Sequence, residues 1–158
     1  MLRAGVHLGH LRSRGNPKMK SFIFTTRNEL QFIDVSETAR RLEAARAFLR
    51  GVAASGGGIL LVGTRPAARR IVRELAESLG LPHVTNRWLG GTLTNFKTIS
   101  KRLAEKAELE RQRAGGELAK YTKKEALMLE RKLEKLEGKF GGIAPLSRLP
   151  HAVVIFDL

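Results

Sequence analysis

Arg87-Trp88-Leu89-Gly90-Gly91-Thr92-Leu93-Thr94-Asn95-Phe96 is the stretch around which the rest of the chain arranges itself. Upstream, Leu81-Pro82-His83-Val84-Thr85 has the make-up of a short strand; downstream, Lys97 opens a long charged pattern of helical period. The decapeptide is therefore a strand-to-helix junction. Gly90 and Gly91 open backbone angles closed to other residues and let a second backbone approach. Thr92, Thr94 and Asn95 are each competent to cap the following helix, and the residues alone do not choose among them. A helix start beside Arg87, which has no acid near it in sequence, is suited to a phosphate. The plainer reading is a tight loop with Trp88 as its anchor. The only Trp of the chain, flanked by Leu89 and Phe96, is expected to be buried.

Working back from the junction, Ile59-Leu60-Leu61-Val62 is a short apolar run between glycines, as a buried parallel strand requires. Gly63-Thr64-Arg65-Pro66 turns into a helix with Thr64 or Arg65 at its cap, Ile71, Leu75 and Leu79 as the expected buried stripe, and Gly80 as its stop. Before it, Ser36 is a candidate cap for a helix whose Ala39, Leu42, Ala45 and Leu49 share one face, ended by Ser55-Gly56-Gly57-Gly58. Residues 21–26 and 30–33 are rich in β-formers around Arg27-Asn28-Glu29 and predict a hairpin. Strand and helix thus alternate, which predicts an α/β fold: a parallel sheet with flanking helices of the Rossmann or flavodoxin-like kind. Ligands of such sheets sit beyond the carboxyl ends of the strands, where Arg65 and Arg87 both fall.

Past the junction the pattern changes. Ala126, Leu129, Leu133, Leu136 and Phe140 alternate spacings of three and four, a heptad seam. Ile99, Leu103 and Ala107 form a weaker seam, and Ala114-Gly115-Gly116-Glu117 separates the two. This predicts an antiparallel helical coiled-coil hairpin over 96–140, inserted between an α/β domain at 1–95 and its continuation at 141–158. Basic residues outnumber Glu in the hairpin but alternate with them, so much of its charge pairs internally. Gly141 to Leu149 reads as a linker, and Ala152-Val153-Val154-Ile155-Phe156 as a further apolar strand closed by Asp157.

Among 158 residues there are 29 Lys or Arg against 15 Asp or Glu, a formal charge of +14. That excess calls for a polyanionic partner. No helical stretch pairs a basic face with a broad aromatic or Leu-rich one, so nucleic acid is favoured over a membrane. The start, residues 1–20, carries Arg3, Arg12, Arg14, Lys18 and Lys20 with no acid, broken by Gly5, Gly9, Gly15 and Pro17. It reads as an irregular basic arm. Charge with little internal neutralisation selects Arg12, Arg14, Lys18, Lys20, Arg65, Arg87, Lys97, Lys101 and Arg102, with Asn95 at the junction, as candidate RNA contacts. Trp88, Gly90, Gly91 and Thr92 are assigned a structural role.

Other chemistries find little support. With no Cys, disulfides and thiolate metal sites are excluded, and a reducing compartment fits. His7 and His10 have no carboxylate near them in sequence, and zinc needs three or four ligands. Neither G-x-G-x-x-G nor a Gly-rich loop ending in G-K-[ST] is present, so no nucleotide cofactor is expected, and Asp157 reads as a plain strand end rather than a magnesium ligand. No Ser-His-Asp order or paired carboxylate suggests catalysis.

The decapeptide closely resembles the signature of the bacterial ribosomal protein S-two family of the small subunit. Three further stretches match in the same order: Ala4 to His10 with Asn16-Pro17-Lys18-Met19, then Leu61-Val62-Gly63-Thr64, then Lys123 to Leu129 with Gly141-Gly142-Ile143. The resemblance implies a non-enzymatic structural role in the cytoplasmic or an organellar ribosome. It implies contact with small-subunit rRNA, carried here to Arg12, Arg14 and Lys18, and proximity to neighbouring ribosomal proteins, including the large mRNA-binding one. It also implies further strands and helices after residue 156, so that this chain is expected to be a fragment that leaves apolar surface uncovered.

Overall fold

The computed structural model describes residues 1–156. They form two compact units, Met1–Gly51 and Val52 onward, which are taken separately.

In the first unit, strands β1 (Leu8–Leu11), β2 (Ile23–Arg27) and β3 (Leu30–Ile33) make an antiparallel sheet in the order β1-β3-β2. The expected hairpin is β2–β3, turned by Asn28 and Glu29 at φ 47° and 62°. The arm, however, is not irregular: it supplies β1. Gly9 makes this pairing feasible, because a Cβ there would sit 2.8 Å from the Gln31 carbonyl oxygen of β3. Glycine's low strand propensity concealed the strand in the sequence. Helix α1 (Val35–Ala54) follows. Its start is capped by Asp34 rather than Ser36: the Asp34 carboxylate accepts from the N–H groups of Ser36 (2.8 Å) and Glu37 (3.3 Å). None of its residues is buried, so the stripe through Leu42 does not form a core.

The second unit is built on a parallel sheet of β4 (Ile59–Val62), β5 (His83–Val84) and β6 (Ala152–Ile155) in the order β5-β4-β6. All four residues of central β4 are buried. Helix α2 (Pro66–Leu79) runs from the Arg65 cap to Gly80, whose φ of 65° ends it in the left-handed conformation. Its inward face is Val72 and Ala76, not Ile71, Leu75 and Leu79, which are exposed. The reason is close approach at Gly63: a Cβ there would lie 2.6 Å from a Val72 methyl, so only small side chains fit between helix and strand.

Helices α3 (Phe96–Ala114) and α4 (Lys123–Phe140) are inserted between β5 and β6. Thr122 and Glu125 form a reciprocal capping box at the start of α4. Leu133, Leu136 and Phe140 are buried with Ile99 and Leu109, and Leu103 and Leu129 pack against them. The start of α3 lies beside the end of α4, and the same cluster continues into Leu60 and Val62 of the sheet. The weaker seam of α3 passes through Lys106 rather than Ala107. Lys106 is buried, and its ammonium reaches Glu110 (2.8 Å) and Glu137 (2.6 Å). The expected linker is also part of the core, since Ile143 and Leu146 are both buried. Asp157 lies outside the described residues.

Candidate nucleic-acid interface

The junction is held at both ends. Thr85 is buried, and the Asn86 side-chain amide donates to the Gly138 carbonyl at 2.8 Å, tying the segment to the last turn of α4. Leu89 packs on the core, and its carbonyl accepts from the Thr92 hydroxyl at 2.7 Å. Thr92 is thus a buried strut and not a helix cap. Asn95 occupies the cap position of α3 but makes no capping bond; its side-chain oxygen accepts from the Thr98 hydroxyl at 3.0 Å. Gly91 takes φ 86°, while Gly90 has open space around it. Between the two pinned ends, Asn86, Arg87 and Trp88 face outward. Trp88 is 37% exposed, so the anchoring expected of it is done by Leu89 and Phe96.

Two adjoining clefts open here. One, of about 310 Å³, is lined by Asn86, Arg87, Trp88, Leu89, Gly90, Gly138 and Lys139. The other, of about 400 Å³, continues from Leu89, Gly90 and Lys139 to Arg102, Lys132 and Lys135. Among the described residues, no carboxylate lines either. A third cleft, which shares Asn86, Arg87, Gly138 and Lys139 with the first, is mixed in charge through Glu77 and Glu137. The cations are not equivalent. Arg102 donates to Glu105 at 2.8 Å, contrary to its expected freedom from acids, and Lys132 also pairs with Glu105. Hydrogen bonds from Lys132 and then Arg102 hold the Glu105 carboxyl below its ordinary value. Among the described residues, Arg87, Lys135 and Lys139 form no such pair.

The sequence-selected cations are therefore brought together only in part. Arg87 and Arg102 line this groove. Lys97 and Lys101, a turn apart on the exposed face of α3, do not, and neither does Arg65 at the α2 cap. In the first unit, Arg12 and Lys20 converge with Asn16 and Gln31 on an open cleft of about 530 Å³. Arg14 and Lys18 are exposed beside it in sequence, with the Lys18 N–H donating to the Asn16 side chain at 2.9 Å. Close by, the His7 ring stacks on Phe32 with centroids 6.1 Å apart. Lys135 and Lys139 were missed by sequence reasoning, because Glu134 and Glu137 beside them suggested internal neutralisation. Their signal was nonetheless there: Lys132, Lys135 and Lys139 recur at spacings of three and four, a basic stripe flanking the apolar seam.

A three-stranded parallel sheet, an inserted pair of helices and a carboxylate-free basic groove define a cationic α/β protein. The chain belongs to the ribosomal protein S2 family, whose model matches residues 1–158. It is 49% identical over 158 residues to the small ribosomal subunit protein uS2 of Acidothermus cellulolyticus, covering 99% of this chain and 58% of that protein. It is 48% identical over 161 residues to the uS2 protein of Salinispora arenicola, covering 99% of this chain and 57% of the relative. The chain thus spans less than two thirds of the length of these relatives.

Proposed function

We propose that this chain is a structural, non-catalytic component of the small ribosomal subunit that binds its rRNA and takes part in translation. The observation that carries the reading is the family match along the whole chain, with near-half identity to two uS2 proteins. The charge of +14 supports a polyanionic partner. RNA contacts are assigned to the first-unit residues Arg12, Arg14, Lys18 and Lys20 and, in the second unit, to the groove that Arg87 opens, with Arg65, Asn95, Lys97, Lys101 and Arg102 as further contacts. Neighbouring ribosomal proteins, including the large mRNA-binding one, are the proposed protein partners, and the cytoplasmic ribosome the location. No helix among the described residues is long and apolar enough to cross a membrane.

Two finer features of architecture belong to the same reading. Counted from β4, the strand order β5-β4-β6 is 2-1-3, which supports a flavodoxin-like sheet. The alternating three- and four-residue seam supports a coiled-coil pairing of α3 and α4. The functional test is fractionation of cells expressing the tagged chain. The expected result is co-sedimentation with small subunits and cross-links to their rRNA, lost steeply as salt rises. A chain that remains at the top of the gradient at low salt would refute the assignment.

A further inference from the structure

We infer that Trp88 is a stacking platform for an unpaired RNA base, with Arg87 and Lys139 holding the phosphates on either side of it. This rests on the rRNA-binding reading above and adds to it a particular contact and a particular kind of RNA. Trp88 is the only Trp of the chain and is set outward, while the neighbouring Leu89 takes the buried position. It lines the cleft of about 310 Å³ together with Arg87 and Lys139, two cations with no acidic partner among the described residues, and no carboxylate shares that lining. The ring is also presented from a fixed backbone. Asn86, two residues before it, is bonded to Gly138, and Leu89, immediately after it, accepts from Thr92. An aromatic ring sharing one cleft with two unpaired cations matches the way single-stranded nucleic acid is gripped, bases on rings and phosphates on Lys or Arg. A base inside a duplex has no free face, so the occupant is a nucleotide of a loop, bulge or single-stranded junction. A protein partner would be expected to bring carboxylates to the two cations and to leave the ring against apolar side chains; the lack of acids lining the cleft and the charge of the whole chain favour RNA.

The test is intrinsic fluorescence, since all Trp emission comes from this one residue. The chain is titrated with small-subunit rRNA and, separately, with an uninterrupted RNA duplex. Emission should be quenched by the rRNA at saturation and left nearly unchanged by the duplex. Trp88→Ala should weaken rRNA binding by roughly 5- to 150-fold, the ratio that the stacking of one base corresponds to, while Trp88→Phe, which keeps a ring, stays within about threefold of the parent. Lys139→Ala should weaken binding and lower the salt dependence, with the denaturant midpoint unmoved. The measurements on the parent chain and on Trp88→Phe require no tolerance of the Ala substitution, so they decide the question even where Trp88→Ala misfolds. Salt-dependent rRNA binding with unquenched emission, or equal quenching by the duplex, overturns the stacking assignment and leaves the rRNA-binding reading intact. No salt-dependent binding of rRNA by the parent chain overturns both.

Discussion

The Lys106 ammonium lies 2.6 Å from the Glu137 carboxylate, joining the middle of α3 to the last turn of α4 beside a contact otherwise made by apolar side chains. Burial pushes this lysine's pKa down, but its bonds to Glu110 and Glu137 outweigh that and hold it above 10.5. The sign follows: a raised folded pKa contributes stability that is complete below the ordinary lysine value and is lost as pH climbs through the higher folded one. Removing the stem as well as the charge should be costly. Lys106→Ala is expected to destabilise by about 2 kcal/mol or more, chiefly through the cavity its buried stem leaves, because the Glu110 and Glu137 side chains are 41% and 57% exposed and stay hydrated. Lys106→Met, which fills the same volume, should lie within about 1 kcal/mol of the parent, since both carboxylates it leaves unpaired remain in contact with water. Denaturant melts of the two variants at neutral pH decide the matter; a Met variant as weak as the Ala variant would show the ion pair itself to be dominant.

Gly90 and Gly91 should separate cleanly. Gly91→Ala forces a side chain onto φ 86° and brings its Cβ to 3.3 Å from the Asn95 Cβ, so a loss of about 1–2 kcal/mol is expected. Gly90→Ala meets nothing within 4 Å and should be near neutral in the same thermal melts. Equal losses would contradict the backbone assignment of the junction.

Thr92→Val keeps the shape of a fully buried side chain and removes its hydroxyl. The Leu89 carbonyl, which accepts that hydroxyl at 2.7 Å, then keeps only the Thr92 N–H at 3.2 Å, and a cost of about 0.5–1.5 kcal/mol should follow. Thr92→Ser, measured alongside, should keep the bond and lose only a methyl group's packing.

Salt titrations of rRNA binding should rank the cations by their partners. Removing one cation from a phosphate flattens the plot of log affinity against log salt by roughly 0.7 to 0.9. Arg87→Ala, Lys139→Ala, Arg12→Ala and Lys18→Ala are each expected to show this drop. Lys132→Ala, whose ammonium is already paired with Glu105, should change the slope little. A slope as strongly reduced by Lys132→Ala as by Arg87→Ala would place the RNA along the whole hairpin instead.

Near the start of α1, hydrogen bonds from Arg40 and then Arg41 bring the Glu37 carboxyl down from 4.5 to about 2. A depressed folded pKa contributes stability above the ordinary value that fades as pH falls from 4.5 toward 2. NMR titration of the Glu37 side chain should give a midpoint near 2, moving toward 4.5 in an Arg40→Ala, Arg41→Ala double variant. A parent midpoint already at the ordinary value would contradict the pairing.

The parts legible beforehand are those where one residue type dictates one conformation. The four-residue apolar run at Ile59, the Gly80 stop and the Leu133, Leu136, Phe140 seam all stand where their patterns predicted. The misreadings share a cause, which is that tertiary neighbours overrode local preference. Gly9 became a strand residue because β3 lies against it, and Val72 displaced Ile71 inward because Gly63 lets α2 come so close. Lys106 entered an apolar seam because two carboxylates, Glu110 of α3 and Glu137 of α4, meet it there. For the candidate site, the charge of Arg87 was readable from its acid-free surroundings. Lys139 was not, because only the folded hairpin directs Glu137 toward Lys106 and leaves Lys139 beside Trp88.

The insertion of α3 and α4 between β5 and β6 has a consequence for the order of folding. Ile59 pairs with Ala152, so completing the sheet requires closure of a loop that contains the entire hairpin. Left as coil, those residues would make β6 a late and entropically expensive addition. The two ends of the hairpin meet beside Leu89 and Gly90, so a hairpin that forms first removes residues 96–140 from that loop and leaves α2, β5 and the connecting segments. A hairpin that forms first makes the docking of β6 depend on Leu133, Leu136 and the Lys106 ion pairs as well as on the strand's own side chains. Weakening any of these should slow refolding more than it speeds unfolding.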